Sequence, residues 1–253
     1  LCSLNIGMLG TVPGHELTHR KKDRFDMFFG NWLLSFSWDC AFALEHVYGH
    51  HKNVGLSIDP ATAKRGENLY KFIIRASIKE HIDAWKIELK HLKRRGKNSF
   101  SIYNKMIVGY GRSIAITLIA FWIGGIQGLF FYIVCAFLAK ALLEVINYIE
   151  HYGLVREPNK PVCPRHSWNA NNMISSLILY NVNRHSAHHE KSNLHFWELE
   201  PYPNSPMLPY GYLTMLYLAI FLPFLFHKIM KEKLDEWDEN FATKAEKNIL
   251  IKL

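Results

Sequence analysis

From Met106 to Tyr148 the chain is almost wholly apolar, its only charges being Arg112 near the start and Lys140 and Glu144 near the end. A bilayer core accommodates about 20 apolar residues per helix, so the run is too long for one span. Gly124-Gly125 with Gln127-Gly128 interrupts it near the middle, where glycine favours a tight turn. The pattern predicts two transmembrane helices, roughly 106–123 and 126–149, paired as a hairpin with its uncharged turn on the far side. Charge marks the near side. Arg65, Lys71, Arg75, Lys79, Lys86, Lys90, Lys93, Arg94, Arg95, Lys97 and Lys105 precede the hairpin and far outnumber the acids, as in a cytoplasmic segment beside a span.

Composition removes several classes. The chain is 49% hydrophobic and 14% aromatic, which excludes disorder. Cys2, Cys40, Cys135 and Cys163 are scattered without a CxxC pair, which excludes a disulfide framework or a Cys-rich zinc site. The net charge of +8 comes from residues that flank apolar spans, with no nucleic-acid motif beside them, so no nucleic-acid partner is expected. Leu69, Phe72, Ala76, Ile82, Trp85, Leu89 and Leu92 predict an amphipathic helix with Lys and Arg on the opposite face. That face is either solvated or a docking surface for an acidic protein or anionic lipid. Tyr212 to Phe226 is short and contains Pro223, so a buried or interfacial segment is expected there. Leu1 to Pro13 reads as the end of a longer apolar helix, without the n-region of a signal peptide.

Nine of the 14 histidines fall into four clusters. His15-Glu-Leu-Thr-His19 places two imidazoles at i, i+4 on one helical face. Glu45-His46-Val-Tyr-Gly-His50-His51 repeats that pair and adds a neighbour; Glu150-His151 ends the second apolar helix; Arg184-His185-Ser-Ala-His188-His189 brings three imidazoles within one turn. Imidazoles gathered in a dry site would repel as cations, so clusters of this kind imply neutral nitrogens sharing metal ions. His81, His91, His166, His195 and His227 stand alone and read as structural or surface residues.

HELTH by itself also fits the HExxH signature of zinc proteases, with Glu16 as general base. Nine clustered histidines exceed what one catalytic zinc needs and suffice for two metals; imidazole suits iron, copper or zinc, of which only the redox metals activate dioxygen. Met27 to Leu44 is long enough to span, yet spanning would separate the first two clusters across the bilayer. A re-entrant or obliquely buried helix is therefore expected, with Asn31 and Asp39 facing protein.

HELTHR, EHVYGHH, NYIEHYGL and RHSAHH, in this order, resemble the integral-membrane alkane monooxygenases, with their xylene monooxygenase relatives, within the membrane desaturase and hydroxylase class. Asp59-Pro-Ala, His166-Ser-Trp-Asn and Leu208-Pro-Tyr-Gly-Tyr also look like family positions. NYIEHYGL discriminates most, because desaturases share three His boxes but not this fourth one. The resemblance implies an all-α integral membrane fold with one catalytic domain over 1–253, incomplete at its N-terminus, with cytoplasmic segments about 46–105 and 151–253. It implies two non-haem iron ions held by His15, His19, His46, His50, His51, His151, His185, His188 and His189. It further implies O2 as co-substrate, an alkane oxidised at its terminal carbon, rubredoxin and its reductase as electron source, and a bacterial inner membrane with the site on the cytoplasmic side.

Glu16, Glu45 and Glu150 each adjoin a cluster histidine and are expected to orient an imidazole of another cluster. The chain departs from the family at Ala187, where Asp is usual, and at Asn181-Val-Asn183, where Leu-Gln is usual. Alternatives from other classes are a fatty-acyl desaturase or hydroxylase, an intramembrane zinc protease and a metal-binding scaffold without catalysis.

Overall fold

The computed structural model describes residues 1–251, and all regular structure among them is helical apart from a single bridge between Asn169 and Met207. The chain divides into two compact units, one of Leu1–Gly49 with Ser77–Leu143 and one of His50–Ala76 with the chain from Glu144 onward.

In the first unit, α1 (Val12–His19) carries HELTH and continues a helical run whose π-type turn, Ile6–Thr11, lies just before Pro13. Asp23 caps α2 (Arg24–Ser35), its carboxylate accepting from the Phe25 and Asp26 amides. The two helices cross with backbones close: a Cβ on Gly14 would lie 3.2 Å from the Gly30 carbonyl oxygen, and one on Gly30 would lie 3.0 Å from Leu17 Cβ. Helix α2 stops at Ser35, and the chain turns through Trp38 in a left-handed conformation at φ 57° before re-entering helix at Phe42–Glu45. Twelve residues make a helix of about 18 Å, well short of the roughly 30 Å of a bilayer core. The segment 27–44 is thus a broken helix, and Asn31 and Asp39 both face protein. Asn31 Oδ1 accepts from Arg112, and Asp39 Oδ2 accepts from Lys140 at 2.9 Å.

Helix α3 (Leu69–Arg94) buries Leu69, Phe72, Ala76, Ala84 and Leu92, while Ile82 and Leu89, expected on the same face, point outward. The buried row 72, 76, 84 and 92 drifts about 40° per i, i+4 step, so the covered face winds around the helix and leaves Ile82 and Leu89 on the uncovered side. Glu88 then caps the next helix by accepting from the Lys105 amide at 2.9 Å.

Helix α4 (Lys105–His151) is broken at Gly125, whose φ of 58° and ψ of −151° suit glycine alone. The chain folds back there. A Cβ on Gly128 would fall 2.5 Å from the Ala120 carbonyl oxygen, and Tyr132 packs with Ile116, contacts that a straight helix could not make. The expected hairpin is therefore present, with its turn at the predicted glycines. It is long and apolar enough to cross a membrane, and it exposes Leu118, Trp122, Ile123, Phe130, Phe131 and Phe137. Its one buried cation, Lys140, lies between Asp39 (2.9 Å) and Glu80 (2.6 Å).

The second unit packs Phe72, Tyr148, Tyr152 and Phe226 into an aromatic core. Around it lie α5 (His185–Glu190), α6 (Tyr212–Phe221), α7 (Pro223–Asn240) and α8 (Lys244–Ile251). Pro223 ends α6 and starts α7, so the apolar segment 212–226 is two helices, with Tyr212, Met215, Leu218 and Phe226 inside and Tyr217, Phe221 and Phe224 outside.

Candidate metal centre

In the first unit three histidines converge. His15 and His19 share a face of α1, and His46 opens a π-type turn, His46–His50, that follows the Phe42–Glu45 helix. His15 Nε2 lies 3.0 Å from His46 Nε2 and 3.2 Å from His19 Nε2, with all three rings buried. Phe42 stacks on His46 at 4.4 Å between ring centres and meets His15 edge-on at 5.5 Å. Glu16 accepts from Arg20 at 3.0 Å, and Arg20 also holds Asp26 at 2.9 Å. Glu45 is buried and folds over Gly49, where a Cβ would sit 2.5 Å from its Oε1. Glycine at 49 is what leaves room for that carboxylate.

The second unit gathers His50, His151, His185 and His189, each offering one nitrogen, with all of these within 4.8 Å of one another. His185 Nε2 lies 3.0 Å from His151 Nε2 and 2.9 Å from His189 Nε2. The opposite sides of the rings are tied to acceptors. His50 Nδ1 is 3.0 Å from Asp59 Oδ2, His151 Nδ1 faces the His166 carbonyl at 3.4 Å, and His185 Nδ1 faces the Val182 carbonyl at 3.3 Å. Carbonyl and carboxylate oxygens accept only, so the proton of the His50 and His151 rings resides on Nδ1 and their bare Nε2 lone pairs point inward, whereas His185 meets an acceptor at both nitrogens. Imidazole nitrogens converging at about 3 Å, with the far side of the ring anchored to an acceptor, are the arrangement by which metal-binding imidazoles are held. Burial, followed by the neighbouring rings of His51, His185, His50 and His151, pushes the His189 imidazole well below its ordinary pKa, so it too is neutral. No thiolate enters either group, and all-imidazole donors fit iron, copper or zinc. The remaining two histidines pair with each other: His51 Nε2 lies 3.1 Å from His188 Nε2.

His46 and His50 read in the sequence as one i, i+4 pair, but they belong to separate groups. The turn between them, His46–His50, is π-type. Glu150 reaches His185, with Oε2 at 3.2 Å from Nε2, and its other oxygen accepts from the Tyr212 hydroxyl at 3.1 Å. The carboxylate therefore faces the inward side of the ring.

The surrounding contacts assign work to the other motif residues. Asp59 takes His50 and also accepts from Thr62. Asn169 accepts from the Ser186 amide at 2.8 Å and donates to Ser186 Oγ and Ser205 Oγ, pinning the first turn of α5. Trp168 donates to the Tyr152 carbonyl. His166 lies outside both groups, its ring held between Glu246 Oε1 (2.8 Å) and the Cys163 amide (3.0 Å) while its carbonyl serves His151. Burial takes the His166 pKa down to about 4 against the pull of Glu246. Although burial favours the neutral acid, hydrogen bonds from Arg165, the Thr243 amide and His166 hold Glu246 at about 2. Ala187 is buried, so the usual Asp would bring another carboxylate into this unit. Sequence reasoning gave no role to Asp59, Tyr212 or Glu246; only the positions of Asp59 and Tyr212 in family-like motifs pointed to them.

Residues 1–225 match the model of the Fatty acid desaturase family. Alkane 1-monooxygenase 2 of Alcanivorax borkumensis is 38% identical over 93% of this chain and 64% of its own length. Alkane 1-monooxygenase of Acinetobacter baylyi is 37% identical over 97% of this chain and 62% of its own. The xylene/toluene monooxygenase hydroxylase component XylM of Pseudomonas putida is 31% identical over 99% of this chain and 68% of its own. The chain thus spans a little under two thirds of the alkane monooxygenases it matches. Matching family model, near-complete coverage by these relatives and two groups of converging histidines agree: the chain belongs to the fatty acid desaturase family.

Proposed function

We propose that this chain is the catalytic domain, over 1–253, of a membrane-embedded non-haem diiron monooxygenase that converts alkanes to primary alcohols with O2 and electrons from rubredoxin and its reductase. The observation that carries this reading is the convergence of buried imidazole nitrogens, with the His50 and His151 rings oriented by Asp59 and by the His166 carbonyl. His15, His19, His46, His50, His51, His151, His185, His188 and His189 would hold two iron ions, which supply O2 activation and the oxidation of an unreactive C–H bond. Zinc has no redox chemistry and could not do so.

The protein residues do the rest. Nine neutral ligands leave the metal charge unbalanced, and buried Glu150, held by Tyr212, is the carboxylate that offsets it in this reading. Burial of the imidazoles excludes water, which would otherwise compete for oxidant and protons. An alkane offers no dipole to grip, so it must be aimed by apolar walls, and it concentrates in the bilayer. The exposed apolar side chains of α4 support a hairpin embedded in lipid, since a water-facing surface of that size would be an aggregation liability. By the basic residues before it, the site faces the cytoplasm of a bacterial inner membrane.

The test expresses the complete protein in membranes with rubredoxin and its reductase and measures 1-alkanol formation across a series of alkane lengths. Alcohol from at least one length is expected. Desaturated or hydroxylated product from acyl-CoA or acyl-lipid, with no alkanol, would replace this reading by a fatty-acyl enzyme. Peptide cleavage that survives replacement of His185, His188 and His189 would replace it by a zinc protease.

A further inference from the structure

We propose that α3 lies on the bilayer surface and seats its outer ridge among anionic lipid headgroups. The inference rests on the membrane reading above and adds a second contact with lipid, outside the hairpin.

The helix is apolar on two sides. Inside are Leu69, Phe72, Ala76, Ala84 and Leu92, while outside Tyr70, Ile74, Ile78, Ile82 and Leu89 are 51%, 64%, 57%, 47% and 39% exposed. At 3.6 residues per turn the outer set covers an arc of about 120°, which is outward over residues 70–82 and then turns inward, Glu88 and Leu92 falling within it and being buried. Lys79, Lys86, Lys90 and Lys93 are all exposed and run along one edge of that arc, with Lys71 inside it. Glu80 and Glu88 are buried, and Asp83, half-buried, is held by Lys86 at 2.8 Å. The outward side therefore presents isoleucine and lysine and no exposed acid.

Water does not call for this pattern. Three isoleucines at successive i, i+4 positions lower helix propensity through their branched Cβ and gain nothing while solvated. An interfacial helix requires it: apolar side chains enter the headgroup boundary, and lysines extend their stems along the edge to reach phosphate. The linker to α4 continues the theme, exposing Phe100 (85%), Ile102 (83%) and Tyr103 (49%), aromatic and apolar anchors of the kind found at membrane interfaces. The cations line one edge of an exposed apolar arc, which suits the boundary between phosphates and acyl chains, where charge and apolar surface are met side by side.

The complete protein, with Cys2 and Cys163 changed to serine, is labelled with an environment-sensitive fluorophore at Ile78→Cys or Ile82→Cys and placed in nanodiscs containing phosphatidylglycerol. Leu118→Cys on the hairpin serves as the lipid reference and Lys160→Cys, in a polar loop, as the water reference. Labels at 78 and 82 are expected to be quenched by lipid carrying a nitroxide near the headgroup and to lose the iodide quenching seen at 160. Replacing Lys79, Lys86, Lys90 and Lys93 by glutamine should abolish any difference between phosphatidylglycerol and phosphatidylcholine discs. Iodide quenching equal to that at 160 would overturn the proposal, as would shielding from iodide without lipid quenching, which means that protein covers the ridge. If position 118 also escapes lipid quenching, the membrane reading itself fails; if 118 is quenched while 78 and 82 are not, this inference alone fails.

Discussion

His50 Nδ1 lies 3.0 Å from Asp59 Oδ2, and both side chains are removed from solvent. The carboxylate can only accept, so it fixes the proton on Nδ1, turns Nε2 inward and raises the basicity of that nitrogen toward a metal. Asp59→Ala should therefore weaken iron binding by about 10–100-fold while leaving the helices in place. Asp59→Asn, which keeps an acceptor oxygen, should lose less. Iron content after graded chelation checks this, with circular dichroism to confirm the fold; unchanged retention in Asp59→Ala would remove Asp59 from the account.

Gly49 leaves room for a carboxylate. Alanine at a helical glycine ordinarily stabilises by up to about 1 kcal/mol, but here the new Cβ would meet Glu45 Oε1 at 2.5 Å. Gly49→Ala should cost about 1–3 kcal/mol, the range for overpacking, and should cost much less in a Glu45→Ala background. A thermal-unfolding double-mutant cycle measures the difference. Equal effects in both backgrounds would show that the steric reading of Gly49 is mistaken.

Lys140 ties two stretches of the first unit to one point through Asp39 and Glu80. Lys140→Met would leave two buried carboxylates facing an apolar side chain and should destabilise by about 3–5 kcal/mol. Replacing all three residues with apolar groups of similar volume should recover most of that loss. Chemical denaturation in detergent distinguishes the two variants, and a neutral Lys140→Met would mean that the triad is not buried in solution.

Acid should unfold the second unit through Glu246 and His166. The folded pKa of Glu246, about 2, lies below its ordinary value of 4.5, so its contribution is fully present above 4.5 and is lost as pH falls toward 2. His166, at about 4 when folded against 6.5 ordinarily, is protonated first in the unfolded chain, so stability also declines from pH 6.5 to 4. Denaturation of the metal-free protein across this range should give falling stability throughout. Glu246→Gln should flatten the segment below 4.5, and an unchanged slope there would contradict the assignment.

What could be read from the sequence was what is local in it. The hairpin follows from one apolar run broken by Gly124-Gly125, and the histidine clusters from short spacings. The grouping of those histidines was not legible, because i, i+4 spacing suggests that His46 and His50 pair, whereas tertiary packing assigns them to different groups. Nor were the partners that join distant positions: Tyr212 with Glu150, Glu246 with His166, and Lys140 with Asp39 and Glu80. No spacing rule links such residues; only tertiary packing does. The outer face of α3 was obscured for another reason, since its two apolar rows share the same four-residue step and merge in a sequence pattern.

The most direct test of the central claim is the metal stoichiometry of the complete protein purified from iron-replete cells, measured by elemental analysis against protein mass. Two irons per chain are expected, falling when His151 or His185 is replaced by alanine, with little zinc or copper. One metal per chain, zinc in place of iron, or full iron retention after both replacements would contradict a diiron site built on these histidines.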